Sequence, residues 1–190
     1  MNKPERMPQL AAEKMTDAQR KAADEMIAGP RKGVKGPFVP LLRSPELMNR
    51  LQQVGEYLRF RSSLEQRISE FIMLVVSREW TQQFEWFVHV PLGRKTGITE
   101  ATITALAEGR RPAGMPGDEA AAYDFCEELL RTKGVCETTY RRAVEKFGEN
   151  GVIDIIGVAG YFTTVSMVMN VAHSPPPEDK SVGALLPYPF

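Results

Sequence analysis

The segment from Ile155 to Ala172 constrains the fold more than any other part of this chain. It contains no charged residue and is mostly apolar over a length that could cross a bilayer. Gly157, Gly160 and several polar side chains within it, with no flanking basic residues and no second apolar span, argue against a membrane helix. A helix that is apolar on every side must be covered on every side, which a chain of 190 residues achieves with difficulty alone. We therefore expect a buried helix in an obligate oligomer, without a membrane partner.

Hydrophobic periodicity and helix-capping signals predict an all-α chain of about seven helices. Apolar residues recur three or four positions apart in most segments, and no segment has a partner strand. Residues 30–40 lack the lysine and hydroxyl residue that end a phosphate-binding loop, so we interpret them as a connector. The predicted helices run from Thr16 to Gly29, from Ser44 to about Phe60, from Ser63 through Val76, from Thr81 to Lys95 with a kink or break at Pro91, from Thr99 to Gly109, from Asp118 to Lys133, from Glu137 to Phe147, and on past Gly148 to His173.

The composition favours one domain, residues 1–190, that acts on small molecules or other protein chains. The 24 basic residues balance the 24 acidic ones, so no net field attracts nucleic acid or an anionic membrane. Cys126 and Cys136 form no disulfide framework and match no redox or zinc spacing. We therefore expect a reducing, cytoplasmic compartment.

We expect both ends of the chain to extend from this domain. Residues 1–15 contain no apolar run of the kind found in a secretory signal, and we interpret them as an N-terminal arm. The tail, residues 174–190, begins with a proline-rich stretch that has few means of folding alone. We expect its apolar side chains to lie across another surface, with a neighbouring subunit as the host: Leu185, Leu186, Tyr188 and Phe190.

Glu85 and His89 form the most suggestive chemical pattern in the chain. A spacing of four places both side chains on one face of a helix, ~6 Å apart along its axis, so that they can share one substrate. His89 is one of 2 histidines, and the residues around the pair are apolar. Two interpretations remain open here. The pair transfers protons, or it forms a local hydrogen bond or ion pair that satisfies a half-buried histidine.

The chain resembles the carboxymuconolactone decarboxylase family in four stretches: Arg67-Ile68-Ser69-Glu70, the apolar run Phe71 to Val76, Glu85-Trp86-Phe87-Val88-His89, and Gly97-Ile98-Thr99. That family is similar to the alkyl hydroperoxidase D group, whose pattern is a glutamate, eleven residues, Cys-x-x-Cys, three residues and a histidine. In this chain Gln82 and Glu85 occupy the two cysteine positions. Peroxide reduction by this pattern needs both thiols, so the resemblance does not carry that activity over.

The resemblance implies an alkyl hydroperoxidase D-like helical fold, a homotrimer or homohexamer, and a lyase that needs no metal or other cofactor. The implied reaction, of a kind used in aromatic-acid catabolism, removes the carboxylate of a lactone and returns a proton to carbon. The implied catalytic residues are Glu70, Glu85 and His89, with His89 as proton donor or oxyanion partner, Glu85 setting its protonation, and Glu70 approaching as a second carboxylate. On one unbroken helix Glu70 and Glu85 would lie ~22 Å apart, so we expect a turn at Trp80-Thr81.

Trp86, Tyr161 and Asn170 are the candidate substrate-binding residues, although an aromatic residue such as Trp86 is also typical of a core. Glu70 could instead form a structural salt bridge, to Arg67 or Arg78. Two other functions remain open. One is a non-enzymatic helical oligomerisation or binding module, and the other is a thiol peroxidase that uses Cys126 or Cys136. The sequence leaves the substrate, a small cyclic or lactone carboxylate, and the choice among decarboxylation, isomerisation and hydrolysis undetermined.

Overall fold

Eight α-helices make up most of the chain that the computed structural model describes, residues 4–177 and 182–186, and this part contains no strand. The expectation of an all-α chain is confirmed. A single 3-10 turn, Ala12–Lys14, precedes the helices. The helices are α1 Asp17–Ala28, α2 Phe38–Leu41, α3 Pro45–Phe60, α4 Gln66–Glu79, α5 Gln83–Thr96, α6 Glu100–Ala107, α7 Gly117–Thr132 and α8 Glu137–Ala172.

Several helices begin where the capping signals predict. Thr16 and Gln19 form a reciprocal capping box at the start of α1. Pro45 occupies the first turn of α3, where its missing N–H leaves no intrahelical bond unmade. At the start of α6 the hydroxyl of Thr99 accepts a hydrogen bond from the backbone N–H of Thr102. These local signals therefore determine the helix starts without help from the rest of the fold.

Two features of α4 and α5 differ from the prediction. Ser63 does not cap α4, which begins at Gln66 with Glu65 as its N-cap residue. The backbone N–H and the hydroxyl of Ser63 both donate to Oδ2 of Asp154 on α8, each at 2.7 Å, because this buried carboxylate requires donors. Of the kink or break predicted at Pro91, the break is wrong, since Pro91 lies inside α5 and the helix continues to Thr96.

Helix α4 lies at the centre of the main hydrophobic core and packs against α5, α7 and α8. Helix α8 consists of two segments joined at Gly148, whose φ of 67° interrupts the helical geometry as the sequence predicts. By length and composition alone α8 could cross a membrane, but 56% of its apolar window is buried inside the fold. The apolar segment is thus a core helix of this structure.

One face of the single chain remains apolar and exposed along α3 and α8. Exposed apolar side chains concentrated on neighbouring helices are typical of a surface that another chain covers. The predicted oligomer stays a prediction, which this face favours. The exposed side chains are Val54, Tyr57 and Phe60 on α3 and Ile153, Ile156, Met167 and Val171 on α8.

The described part of the C-terminal tail lies on its own chain. Leu185 is only 3% exposed and belongs to the main core. Gln83 at the start of α5 binds its backbone twice, donating from Nε2 to the carbonyl oxygen at 2.6 Å and accepting the N–H at 3.0 Å. The expectation that Leu185 covers a neighbouring subunit is therefore wrong, because the main core of its own chain buries its side chain and Gln83 binds its backbone. Leu186 is 75% exposed, and Tyr188 and Phe190 lie outside the described residues.

Candidate functional site

A tight turn between α4 and α5 brings Glu70 close to His89. Helix α4 ends at Glu79, and Thr81 then adopts a φ of 45°, in the left-handed region that a β-branched residue seldom enters. The chain reverses there before α5 begins, so the middle of α4 lies beside the middle of α5. The predicted turn at Trp80-Thr81 is confirmed.

The imidazole of His89 lies between the carboxylates of Glu70 and Glu85. Its Nδ1 is 2.7 Å from Oε2 of Glu70, and its Nε2 is 3.2 Å from Oε2 of Glu85. All three side chains are buried, and His89 and Glu70 are each 2% exposed. The ring of Phe162 makes an edge contact with the imidazole, with centroids 5.1 Å apart. The structure thus brings the three predicted catalytic residues into one hydrogen-bonded group.

This arrangement favours a protonated imidazole. Desolvation by burial works against the charged ring, but the hydrogen bonds and the charges of Glu70 and Glu85 outweigh it, so the pKa of His89 is raised above its ordinary value. Removal of either carboxylate would leave the other effects in place and lower that pKa. A residue that carries a proton near neutral pH is suited to general acid catalysis.

A cavity of about 380 Å³ opens beside this group. Glu85 and His89 line it, whereas Glu70 is not part of the lining and lies behind the imidazole. The volume is at the lower end of the range for small-molecule sites. Most of the wall is apolar, formed by Phe38, Phe60, Phe84, Val88, Phe162 and Val165.

The cations that line this cavity were not among the residues predicted from the sequence. Arg31 and Lys35 come from the segment that we interpreted as a connector, and Arg59 comes from the last turn of α3. The guanidinium of Arg31 lies 4.4 Å from the centroid of the Phe38 ring. The basic character of residues 30–40 was the available signal, but nothing local in the sequence indicates that this segment folds over α5.

Of the three predicted substrate-binding residues, only Tyr161 lines the cavity, and burial raises its pKa to about 12. Trp86 is 1% exposed in the main core, where its Nε1 donates to the carbonyl oxygen of Gly183. Asn170 accepts a hydrogen bond from Gln82 and donates one to the carbonyl oxygen of Trp80. The expectations for Trp86 and Asn170 do not fit these positions, because the helical register turns both side chains away from the cavity.

The residues at the two cysteine positions of the alkyl hydroperoxidase D pattern have other tasks here. The side chain of Gln82 caps α5, accepting the backbone N–H of Phe84 at 2.6 Å. Cys126 is buried in the core, and desolvation raises the pKa of its thiol to about 12. Cys136 is exposed at the start of α8, and neither thiol belongs to the cavity lining.

No model of a known protein family matches the chain, and no curated protein does. Solved structures do match it. A peroxidase-related protein of uncharacterised function from Ralstonia eutropha JMP134, described as an alkylhydroperoxidase AhpD core, is 18% identical with a TM-score of 0.75, over 93% of this chain and 94% of that one. A second peroxidase-related protein of uncharacterised function, from Silicibacter sp. TM1040, is 18% identical with a TM-score of 0.73, over 94% of this chain and 96% of that one.

A third solved structure covers less of the chain. It is a protein of unknown function from Agrobacterium tumefaciens, ATU0492, whose name relates it to AhpD and antioxidant defence. It is 19% identical with a TM-score of 0.64, over 73% of this chain and 96% of that one. At this level of identity the likeness concerns architecture alone. The chain therefore has the alkyl hydroperoxidase D-like fold.

Proposed function

We propose that this protein is a cofactor-independent lyase that acts on a small cyclic or lactone carboxylate by proton transfer between Glu85, His89 and the substrate. The observation that carries the proposal is the buried imidazole held between two carboxylates at the wall of an apolar cavity. Burying three ionisable groups in this way is costly for stability alone, so the arrangement favours a chemical use.

The reaction that fits best is decarboxylation next to a lactone carbonyl. The bond between the ring carbon and the carboxylate breaks, carbon dioxide leaves, and the electron pair passes into the carbonyl as an enolate. A proton from the Glu85-His89 pair is then added to the ring carbon, and the pair is reprotonated from solvent. The net change replaces the carboxylate and one proton by carbon dioxide and a carbon–hydrogen bond.

Each of the three residues has a distinct position in this scheme. Glu85 lines the cavity and shares a proton with Nε2 of His89, so it delivers that proton to the substrate. His89 stores the proton, since its pKa is raised. Glu70 binds Nδ1 from the side away from the cavity and acts as a positioning residue, which revises its expected place as a second carboxylate at the substrate.

The apolar walls contribute by removing water from the substrate carboxylate. A carboxylate is stabilised by hydration, so transferring it beside phenylalanine and valine side chains raises its energy relative to the less charged transition state. The same walls hold the ring of the substrate. The free thiols accord with a cytoplasmic protein, and the exposed apolar face of α3 and α8 accords with a homotrimer or homohexamer.

The test is carbon dioxide release from a panel of lactone carboxylates, measured for the wild type and for Glu85→Gln and His89→Asn. We expect kcat to fall by about 10²- to 10⁴-fold in both variants. Glu79→Gln is the matched control, since Glu79 is exposed at the end of α4 and should leave kcat unchanged. Turnover that survives in both site variants would show that these residues do not carry the reaction.

The two alternatives give different outcomes in the same experiment. For a non-enzymatic assembly module, Glu85→Gln and His89→Asn lower the melting temperature or the mass of the oligomer, and no lactone is turned over. For a thiol peroxidase, peroxide is consumed and alkylation of the thiols stops it. The structural neighbour from Ralstonia eutropha is described as peroxidase-related, which makes this third assay worthwhile, although the buried Cys126 is a poor nucleophile.

A further inference from the structure

The cavity lining carries more positive charge than the proposed proton transfer requires. It holds the cations Arg31, Lys35 and Arg59 against the single carboxylate of Glu85, counted over residues 4–177 and 182–186. The chain as a whole has a formal net charge of +0. The positive excess is thus a local property that the fold creates by placing the 30–40 segment and the end of α3 over α5.

Two of these cations have buried donor atoms without partners. Nη2 of Arg31 and Nε of Arg59 are inaccessible to solvent and have no hydrogen-bond partner among the described residues. A buried N–H without an acceptor loses its hydration and gains nothing in return. Arg31 is near enough to Glu85 for their charges to interact, yet no ion pair joins them. Because both residues line the cavity, their guanidinium groups present positive charge there that neighbouring side chains only partly pair.

We propose that Arg31 and Arg59 form an anchoring site for the carboxylate of a small organic acid, whose apolar body fills the cavity and whose other end reaches Glu85 and His89. This inference rests on the proposed function for the reaction but not for the binding. Guanidinium groups bind carboxylates through parallel N–H donors. The phenylalanine and valine walls select an organic acid over an inorganic anion.

The anchored carboxylate is one that remains in the product. Pairing with guanidinium groups stabilises a carboxylate, which opposes its loss as carbon dioxide. The group that reacts lies instead against the apolar wall beside Glu85. The two arginines therefore act in substrate binding and specificity, and their removal should raise KM more than it lowers kcat.

Tyr161 and Gly55 set the shape of the anchoring site. The Tyr161 side chain lies so close to α3 that a β-carbon at Gly55 would overlap its hydroxyl group. This contact holds the phenol beside Arg31, whose charge interacts with it. Glycine at position 55 thus allows the tyrosine to form one wall of the site without displacing Arg59, which follows on the same helix.

The test is calorimetric titration of the full chain with benzoate, and with benzamide as the neutral analogue of the same shape. We expect benzoate to bind and benzamide to bind at least tenfold more weakly. The double variant Arg31→Met, Arg59→Met should lose at least tenfold in benzoate affinity. Arg50→Met is the control, because the Arg50 side chain on the same α3 is 74% exposed and should leave the affinity unchanged. Inorganic phosphate should neither bind with comparable affinity nor displace benzoate.

Equal binding of benzoate and benzamide, no binding of benzoate to the wild type, or full affinity in the double variant would overturn the assignment. Phosphate binding as tight as benzoate would reduce it to a general anion site and overturn the organic-acid part. A structural role for Arg31, whose Nε donates to Gln52 at 3.4 Å, predicts that Arg31→Met lowers Tm, whereas a ligand-binding role predicts that it lowers benzoate affinity with an unchanged or higher Tm without ligand. If the double variant does not fold, each single variant and Arg31→Gln provide the same comparison.

The outcome separates this inference from the proposed function. Loss of benzoate affinity in the double variant, with no turnover of any lactone carboxylate by the wild type, would retain the anchoring site and remove the lyase. Turnover by the wild type with an unchanged KM in the double variant would retain the lyase and remove the anchoring site.

Discussion

Replacing Glu70 by glutamine isolates the effect of one buried charge on His89. The substitution keeps the shape of the side chain and an oxygen that can accept from Nδ1, but it removes the negative charge 2.7 Å away. Glu70 is 2% exposed and does not line the cavity, so the change affects the imidazole and not the substrate directly. We expect the variant to fold and its His89 pKa to be lower than in the wild type.

The magnitude follows from the linkage between protonation and folding. Because the pKa of His89 is raised in the folded state, protonation of His89 stabilises the fold. This contribution to the free energy of unfolding is fully present below the unfolded pKa and is lost as the pH rises through the folded pKa. At about pH 6, below the ordinary histidine pKa of about 6.5, a hydrogen bond between charged groups is worth about 1.5–3 kcal/mol. In a chain of this size that corresponds to about 3–12 °C in Tm. As the pH rises through the folded pKa the imidazole loses its proton, so Glu70→Gln should cost less free energy of unfolding at alkaline pH than at about pH 6.

Two measurements test this sign. Urea unfolding of the wild type and of Glu70→Gln at about pH 6 and about pH 9.5 gives the pH dependence of the free-energy difference. NMR of the imidazole protons follows His89 directly, and the chain has only 2 histidines. The other, His173, gives the comparison signal, since its Nδ1 lies 2.9 Å from the carbonyl oxygen of Pro4, away from the cavity. A free-energy difference that is larger in alkali than at about pH 6, or a His89 pKa by NMR that is not above the ordinary value, would refute the charged-imidazole assignment.

Three further predictions concern the packing around the site. Leu185→Ala should lower the free energy of unfolding by about 2–5 kcal/mol, because Leu185 is buried. The control Leu186→Ala should change it by less than about 0.5 kcal/mol, because Leu186 is exposed. Equal effects of the two variants in denaturant unfolding would contradict the packing of the tail on its own chain. Gly55→Ala should cost about 1–3 kcal/mol, because its methyl group meets the Tyr161 hydroxyl, and a variant as stable as the wild type in thermal unfolding would disprove that contact. Burial raises the pKa of the Cys126 thiol to about 12, so Cys126 should resist a chromogenic disulfide reagent in the native protein while the exposed Cys136 reacts. Equally fast release of two equivalents of chromophore would show that Cys126 is accessible.

The sequence predicted the helical architecture well because the signals for it are local. These signals act within a few residues, so they can be recognised without knowledge of the fold. They are the capping box at Thr16 and Gln19, the proline at the start of α3 and the hydroxyl of Thr99. The failure at Ser63 has the opposite cause. Its donors bind Asp154, which is far away in the sequence and adjacent only in the folded chain.

For the site, spacing within one helix gave Glu85 and His89, and the resemblance to a known pattern added Glu70. Periodicity could also place Trp86 on α5, but it could not decide which face of α5 meets the cavity and which meets the core. That choice depends on the position of the C-terminal tail, whose Gly183 accepts the indole N–H. Leu185 was assigned to a neighbouring subunit for the same reason, since an extended tail has no periodicity that reveals its host.

By itself the sequence determined that the chain is helical, that the apolar segment of α8 needs cover, and that a carboxylate and an imidazole share one helical face. Those properties depend on side chains within one or two turns of each other. Only the tertiary structure decided that Glu70 lies behind His89, and that Arg31 and Arg59 approach the same cavity from the 30–40 segment and from α3. These residues come together through the packing of segments that are distant in the sequence, and a local sequence pattern does not indicate which distant segments will pack together.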